Sequence, residues 1–422
     1  MPEATGLMTE IAWPELAEIV GKEYLRPATA ADAIDGVKPQ MIAEPGTAEV
    51  LARALRWAHD AGIKVAPRGH GSKLGWGNPP AACDLVLSTA RLSRVLEHAW
   101  ADMTVIVEAG CSVADLQKVL AQHGQRLAID PLWPEHATIG GILSTNDSGT
   151  LRVRYGSLRD LIIGITVALP HGTLAMSGGR VVKNVAGYDL MKLFTGALGT
   201  LGVIVQAIFR LHPLPRESRS ISFSGTPESL NQLMLAIQAS KLTFTGLQLR
   251  AQPDKAQLDV RFEGTGAGCE AQLRQIAQIA GSTSASEAAS SVWTAHQTIW
   301  ESQAQVIAKF SVLPSQLAAV CALVERVAAA QSLAWKVVAQ GVGAGYVRLE
   351  GTASSQRAAL ATLSGELAKL GGTLVVLGCP LEVKRGFDVW GPTSDAHPIM
   401  VRIKQRFDPD GTLNPGRFIG RI

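Results

Sequence analysis

The stretch Ala66–Pro80, APRGHGSKLGWGNPP, sets Gly69, Gly71, Gly75 and Gly77 within nine residues and places His70 between the first two. Glycines at this density make tight turns or let backbone N–H groups close on an anion, because no side chain holds the chain away from a ligand. The stretch is not GxxxxGK[ST], and Leu74 stands where the dinucleotide fingerprint GxGxxG needs its third glycine. A nest of backbone donors at a strand end is what remains. A second stretch, ATIGGILSTNDSG (137–149), again offers small residues, with Asn146 available for hydrogen bonds. Two anion-friendly loops imply a large cofactor bearing a diphosphate. His70 stands open as catalyst, covalent tether or bystander.

The surrounding elements are expected to alternate. TAEVLARALRWAHDAG reads as a helix capped by Thr47, with Val50, Leu51, Ala54, Leu55 and Ala58 on one face and Gly62 as its stop. IKVAPRG reads as a strand running into the glycine loop, and CDLVLST and MTVIVEAG as short strands. SVADLQKVLAQHG opens with Ser112 and Asp115 at capping-box spacing. LIIGITVAL is a strand, YDLMKLFTGALG a helix and LGVIVQAIFRLHPLP a strand, and the prolines near residue 215 suggest a boundary.

Beyond it, strand, strand and helix follow one another twice: LTFTGLQLRA, AQLDVRFEG and CEAQLRQIAQIAG, then LAWKVVAQGVGAGYVRLEG and SSQRAALATLSGELAKLGG. That rhythm predicts an antiparallel sheet with helices on one face. Further helices are expected around Trp293 to Gln305 and Pro314 to Gln331, and hairpin turns at GTGAG and GVGAG. RFDPDGTLNPGRF is a double turn that would carry the chain back onto another surface.

The 422 residues suit two or three domains, and 39 Lys+Arg against 36 Asp+Glu is near balance, without the clustered basic excess of a nucleic-acid footprint. The five cysteines, Cys83, Cys111, Cys269, Cys321 and Cys379, are dispersed and form no CxxC pair, so no zinc or iron–sulfur frame is local and no metal is expected. The acidic N-terminus has no signal-like apolar core, and apolar stretches such as LIIGITVALP are of strand length. A cytoplasmic protein, peripheral at the inner face of the membrane at most, is the expectation.

The order PRGHGS, DP, TIGGILSTNDSG, YGSLRDLIIGITVALPHG, GYDLMKLFTGALGTLGVI and FDPDGTLNPGRF resembles the vanillyl-alcohol-oxidase (PCMH) type of FAD-binding fold, to which the FAD-linked 2-hydroxyacid dehydrogenases belong. The resemblance is dense over roughly residues 40–215 and returns in the last 20. It implies an α+β chain with an FAD-binding domain at 1–215, a smaller antiparallel α+β cap domain at 216–404 and a tail, 405–422, returning to the first domain. The short chain and the form of its second half are most similar to the FAD-binding subunits of glycolate oxidases. Such subunits work beside a second FAD-linked subunit and an iron–sulfur subunit, taking glycolate to glyoxylate. The alternatives are a self-sufficient FAD-dependent D-lactate or 2-hydroxyacid dehydrogenase, and an assembly subunit whose FAD is structural.

By the same resemblance, Pro67, Arg68, Gly69, His70, Gly71 and Ser72 wrap the FAD pyrophosphate. Pro131, Ile139, Gly140 and Gly141 line the flavin, and Thr145, Asn146 and Gly149 bond cofactor oxygens. Gly202, Val203 and Ile204 meet the adenosine or flavin edge. Relatives that tether flavin through this loop carry the histidine after two glycines, whereas His70 lies between two, so non-covalent FAD with His70 on the phosphate side is expected. Many catalytic members carry Glu-His-Gly before the tail. Here the region reads GCPLEVKRGFDVWGPTSDAHPIM, and an independent oxidising site is not implied. Lys384 or Arg385 as the cation for a substrate carboxylate, and His397 as the base for its hydroxyl, are the candidates there, with surface or subunit-interface roles as the competing reading. His171 reads as a turn residue, and Trp293, Trp300, Trp335 and Trp390 as core or interface anchors.

Overall fold

A computed structural model describes residues 12–180, 188–300, 305–385 and 387–422. Helix Ala48–Asp60 forms as its spacing predicts: Thr47 Oγ1 accepts from the Val50 amide, and Leu51, Ala52, Ala54, Leu55 and Ala58 are buried. That helix connects parallel strands of a four-stranded sheet ordered Leu25–Pro27, Met41–Ala43, Leu85–Ser88, Val65–Arg68. Its apolar stripe also packs against Ala168, Val203 and Val205 of a second, antiparallel sheet. The second sheet runs Val95–Ala99, Thr104–Glu108, Val203–Arg210, Ile162–Ala168, Leu174–Gly178. Helices Val113–Ala121 and Ile139–Thr145 close its core.

The second half folds as two β-α-β-β-α-β units side by side. Each expected strand pair and helix is the middle of one unit; an opening strand and helix and a closing strand complete it. The opening strands are Glu217–Gly225 and Gln305–Ser311, and the closing ones Ser284–Glu287 and Thr373–Gly378. Strands Phe244–Gln252 and Ala334–Gln340 join the units into one antiparallel eight-stranded sheet. One face is apolar, with Leu247, Val260, Phe310, Val337 and Leu349 packed against helices Pro227–Ala239, Gly266–Ala280, Leu317–Ala330 and Ala353–Lys369. The other face carries Gln248, Glu263, Lys309 and Tyr346 and meets the first domain. Thr150 Oγ1 donates to Gln248 Oε1 (3.3 Å), Arg126 pairs with Glu263 (2.5 Å), and His296 Nε2 lies 3.0 Å from the Asp130 carbonyl.

The tail behaves as its double turn predicts. Val65 N–H donates to the Thr412 carbonyl (2.8 Å) and Asn414 N–H to the Val65 carbonyl (2.9 Å), laying the tail beside strand Val65–Arg68. Helix His397–Phe407 already packs on the first domain through Ile403 and Phe407.

Three local expectations are corrected. GTGAG is no hairpin: Thr265 caps helix Gly266–Ala280 through the Gly268 amide (3.3 Å), whereas GVGAG does join two paired strands. The helix expected around Trp293 to Gln305 is a 3₁₀ turn, Ser290–Thr294, and one helical turn, Ala295–Thr298; residues 301–304 lie outside the described set, and Gln305 opens a strand. The helix expected in YDLMKLFTGALG is five residues, Leu190–Phe194.

Candidate functional site

Strand Val65–Arg68 ends in the glycine loop, which turns at Gly71 (φ +82°) with the Leu74 amide donating to the Gly71 carbonyl at 3.1 Å. Facing it is a further correction: ATIGGILSTNDSG holds a helix, Ile139–Thr145, where a loop is expected. Thr138 caps it through the Gly141 amide (3.2 Å), and Asn146 ends it in the left-handed region (φ 48°). The two segments approach so closely that a Cβ on Gly69 would fall 2.2 Å from Thr138 Oγ1. Only glycine permits that approach.

Between them lies an open cleft of about 690 Å³. Pro67 to Ser72 form one wall, Gly140, Gly141 and Thr145 another, and Gly202, Val203 and Ile204 a third. His70 is exposed at the mouth, with no polar contact to another side chain among the described residues. Pro131, Ile139, Asn146 and Gly149 do not line the cleft. The Ile139 side chain sits in the core below, and Gly149 packs on Asp130, whose carbonyl would lie 2.2 Å from a Cβ there. Sequence reading missed Lys73, Thr138, Asn414 and Arg417, all of which line the cleft. The NPGR turn of the tail was the available signal for the last two.

The charge of the cleft is one-sided. Arg68, Lys73 and Arg417 line it, and among the described residues no carboxylate does. Arg68 is paired with Asp32 (2.9 Å) and Lys73 with buried Asp147 (3.2 Å). Arg26 and then Arg68 hold the Asp32 carboxyl well below the usual range. Arg417 is 2 % exposed, donates to the Leu74 and Trp76 carbonyls, and has no ion-pair partner among the described residues; its Nε is unbonded. Burial pushes it down to about 10, so it stays cationic at neutral pH. A buried cation without a counter-ion is costly, and an anionic ligand would supply one. Asn414 Oδ1, also buried, has no hydrogen-bond partner among the described residues either. Bare glycine backbone, a buried cation with no ion pair among the described residues and an open amide oxygen fit a dinucleotide diphosphate and its attached rings.

Lys384, Arg385 and His397 do not converge. Lys384 is buried, with its ammonium on Asp35 (2.6 Å) and the Gly75 carbonyl (2.5 Å), tying the second domain to the glycine loop. Burial lowers its pKa and Asp35 raises it back. Arg385 is exposed, and His397 Nε2 is buried beneath Gly420 with no hydrogen-bond partner among the described residues. As a cation-and-base pair these residues are corrected to separate structural positions. The four tryptophans are anchors: Trp335 in the cap core, Trp293 donating to Ser220 Oγ (2.9 Å), and Trp300 and Trp390 in the apolar cluster between domains. Among the described residues no group of three or more His, Cys, Asp or Glu gathers as for a metal.

Residues 39–177 match the FAD binding domain family. The chain is 31 % identical over 216 residues to glycolate oxidase subunit GlcD of Bacillus subtilis, covering 51 % of this chain and 46 % of that one. It is 26 % identical over 430 residues to the mitochondrial cytochrome D-lactate dehydrogenase of Arabidopsis thaliana, covering 90 % and 73 %. The chain thus spans about half the length of the B. subtilis subunit. Among solved structures it superposes on p-cresol methylhydroxylase with a TM-score of 0.74 at 13 % identity, over 96 % of this chain and 95 % of that one. Alkyldihydroxyacetonephosphate synthase gives 0.75 at 17 % identity, over 96 % and 86 %. The fold is the PCMH-type FAD-binding fold, and the cofactor is FAD.

Proposed function

We propose, for a chain whose first domain is that of the FAD-linked oxidoreductases, an FAD-dependent dehydrogenase of a small 2-hydroxycarboxylate, glycolate or D-lactate. We further propose that it acts as a GlcE-type subunit, beside a second FAD-linked subunit and an iron–sulfur subunit, peripheral to the membrane through them. The observation that carries the reading is the cleft: glycine backbone on two sides and Arg417 buried in it with no ion pair among the described residues. Gly69 to Ser72 and Gly140–Gly141 would hold the FAD diphosphate, with Arg417 as its compensating charge and Val203 and Ile204 as an apolar wall. When bound, FAD takes two electrons as hydride from the carbon bearing the substrate hydroxyl. The dispersed cysteines leave electron exit to a partner or a diffusible acceptor. No described helix is long and apolar enough to cross a membrane.

Visible absorption of the purified full chain, followed by anaerobic addition of glycolate or D-lactate, tests this. A flavin spectrum that bleaches with either acid is expected. A chain that shows no flavin even after FAD is added would overturn the reading. The long alignment with the plant D-lactate dehydrogenase favours a second reading, a self-sufficient dehydrogenase. Steady turnover of the isolated chain with a dye acceptor would select it.

A further inference from the structure

The polar face of the eight-stranded sheet holds side chains that the cofactor cleft does not use. Lys309 and Tyr346 are direct register partners on strands Gln305–Ser311 and Ala344–Glu350. Cross-strand partners stand with Cβ atoms roughly 5 Å apart. Their neighbours Ile307 and Val338 pack toward the first domain, in one cluster with Leu132 and Leu198. Tyr346 is 1 % exposed, yet its hydroxyl has no hydrogen-bond partner among the described residues. Lys309 has no ion pair or hydrogen bond among the described residues. Across from them, Asp147 and Arg152 act electrostatically on both groups. Ser148 Oγ and Asn146 Oδ1, from the same loop as Asp147, are buried and also lack a hydrogen-bond partner among the described residues.

Unpartnered buried polar atoms in such number are unusual, because each gives up its hydration with no hydrogen bond to compensate. Lys309 and Tyr346 lie within electrostatic reach of Asp147 and Arg152, at one place between the sheet and the first domain. That place adjoins the cofactor cleft: Asp147 is paired with Lys73, and Lys73 and Leu198 both line the cleft.

We propose that Lys309, Tyr346 and Arg152 form the substrate pocket of this chain, shaped for a small 2-hydroxycarboxylate. The assignment rests on the dehydrogenase reading above. Arg152 pairs with the carboxylate, the Tyr346 phenol donates to a substrate oxygen, and Lys309 takes the hydroxyl proton. As the O–H and Cα–H bonds break, the carbonyl of a 2-oxoacid forms. One proton goes to Lys309, and the hydride, with both electrons, to FAD.

The division of roles follows from the surroundings. Burial lowers the Lys309 amine, Asp147 pulls it back up and Arg152 pushes it down, which makes a neutral amine accessible as a base. Burial raises the Tyr346 phenol well above its usual value, so it keeps its proton and donates. The charged groups facing Lys309 are Asp147 and Arg152, with Lys73 behind Asp147; its register partner on strand Thr373–Gly378 is the apolar Val375.

The test uses the full FAD-loaded chain, with oxalate as an inert dicarboxylate probe read through the flavin spectrum, and anaerobic flavin reduction by glycolate or D-lactate. In the parent, saturable oxalate binding is expected, and a reduction rate that rises with pH through an inflection below that of an ordinary lysine. Arg152→Gln should weaken oxalate about tenfold or more. Lys309→Ala should slow reduction about 100-fold and remove the inflection, with partial rescue by added methylamine. Tyr346→Phe, which removes a single oxygen and keeps the packing, should slow reduction at least tenfold with FAD content unchanged. Variants that carry FAD and bind oxalate and reduce like the parent would overturn the pocket while leaving the dehydrogenase reading intact. A parent that carries FAD but is reduced by neither acid overturns both.

Discussion

The cofactor cleft and the polar sheet face are built on opposite principles. The cleft is closed largely by backbone: Gly69 lies against Thr138 and Gly140 against Ala109, with Arg417 adding a buried cation. The sheet face is made of side chains on regular strands, with Lys309 opposite Tyr346 and Gln248 opposite Asp259. A diphosphate and ring system shared by many enzymes needs close approach, which glycine supplies. A particular substrate needs charges and donors at chosen positions, which only side chains supply.

The contrast is broken most severely at Gly69. Gly69→Ala is expected to abolish FAD retention, lowering affinity by more than about 100-fold, because its Cβ would fall inside the Thr138 side chain. Adding Thr138→Gly to the same chain should restore part of it, and the ratio of visible to ultraviolet absorbance after gel filtration reads both. Removal of the one cleft cation that has no ion pair among the described residues comes next. Arg417→Met should weaken FAD by about 10- to 100-fold, in line with about 1.5–3 kcal/mol for a hydrogen bond to a charged group. Titration with free FAD checks it.

A third variant separates architecture from chemistry. Lys384→Met leaves Asp35 without its cation and should destabilise the chain by about 3 kcal/mol in chemical denaturation. The rate of flavin reduction in the folded fraction should be unchanged. The smallest effect concerns Asp32, whose carboxyl is held low by Arg26 and Arg68. A lowered folded pKa stabilises at pH values above the unfolded value, near 4, and that contribution is lost as pH falls through the folded value. Asp32→Asn should therefore cost about 1 kcal/mol at pH 7 and progressively less below pH 4, read as melting temperature against pH.

Legibility in the sequence divides along the same line. The glycine loop, the capped helix Ala48–Asp60 and the returning tail were all readable, because each is a local requirement on backbone. Helix Ile139–Thr145 was hidden by its Gly-Gly pair and its two-turn length, too short to display a period. Strand Gln305–Ser311 is buried on both faces over most of its length and so shows no alternation. On strand Phe244–Gln252, Gln248 and Arg250 alternate with Leu247 and Leu249, a pattern that reads as a solvent face. It is in fact covered by another domain.

By itself the sequence determined where the backbone must turn, cap and come close, since glycine, proline and capping residues act over a few positions. It also contained, in an ordered set of such motifs, the identity of the FAD domain. Only the tertiary structure decided that Arg417 enters a cleft opened some 340 residues earlier, at Leu74 and Trp76, and that Lys384 belongs to Asp35 instead of a substrate. The same holds for Tyr346 facing the loop that carries Asp147. Those meetings depend on how two sheets pack across a domain boundary, and packing of distant segments leaves no periodic trace in either one.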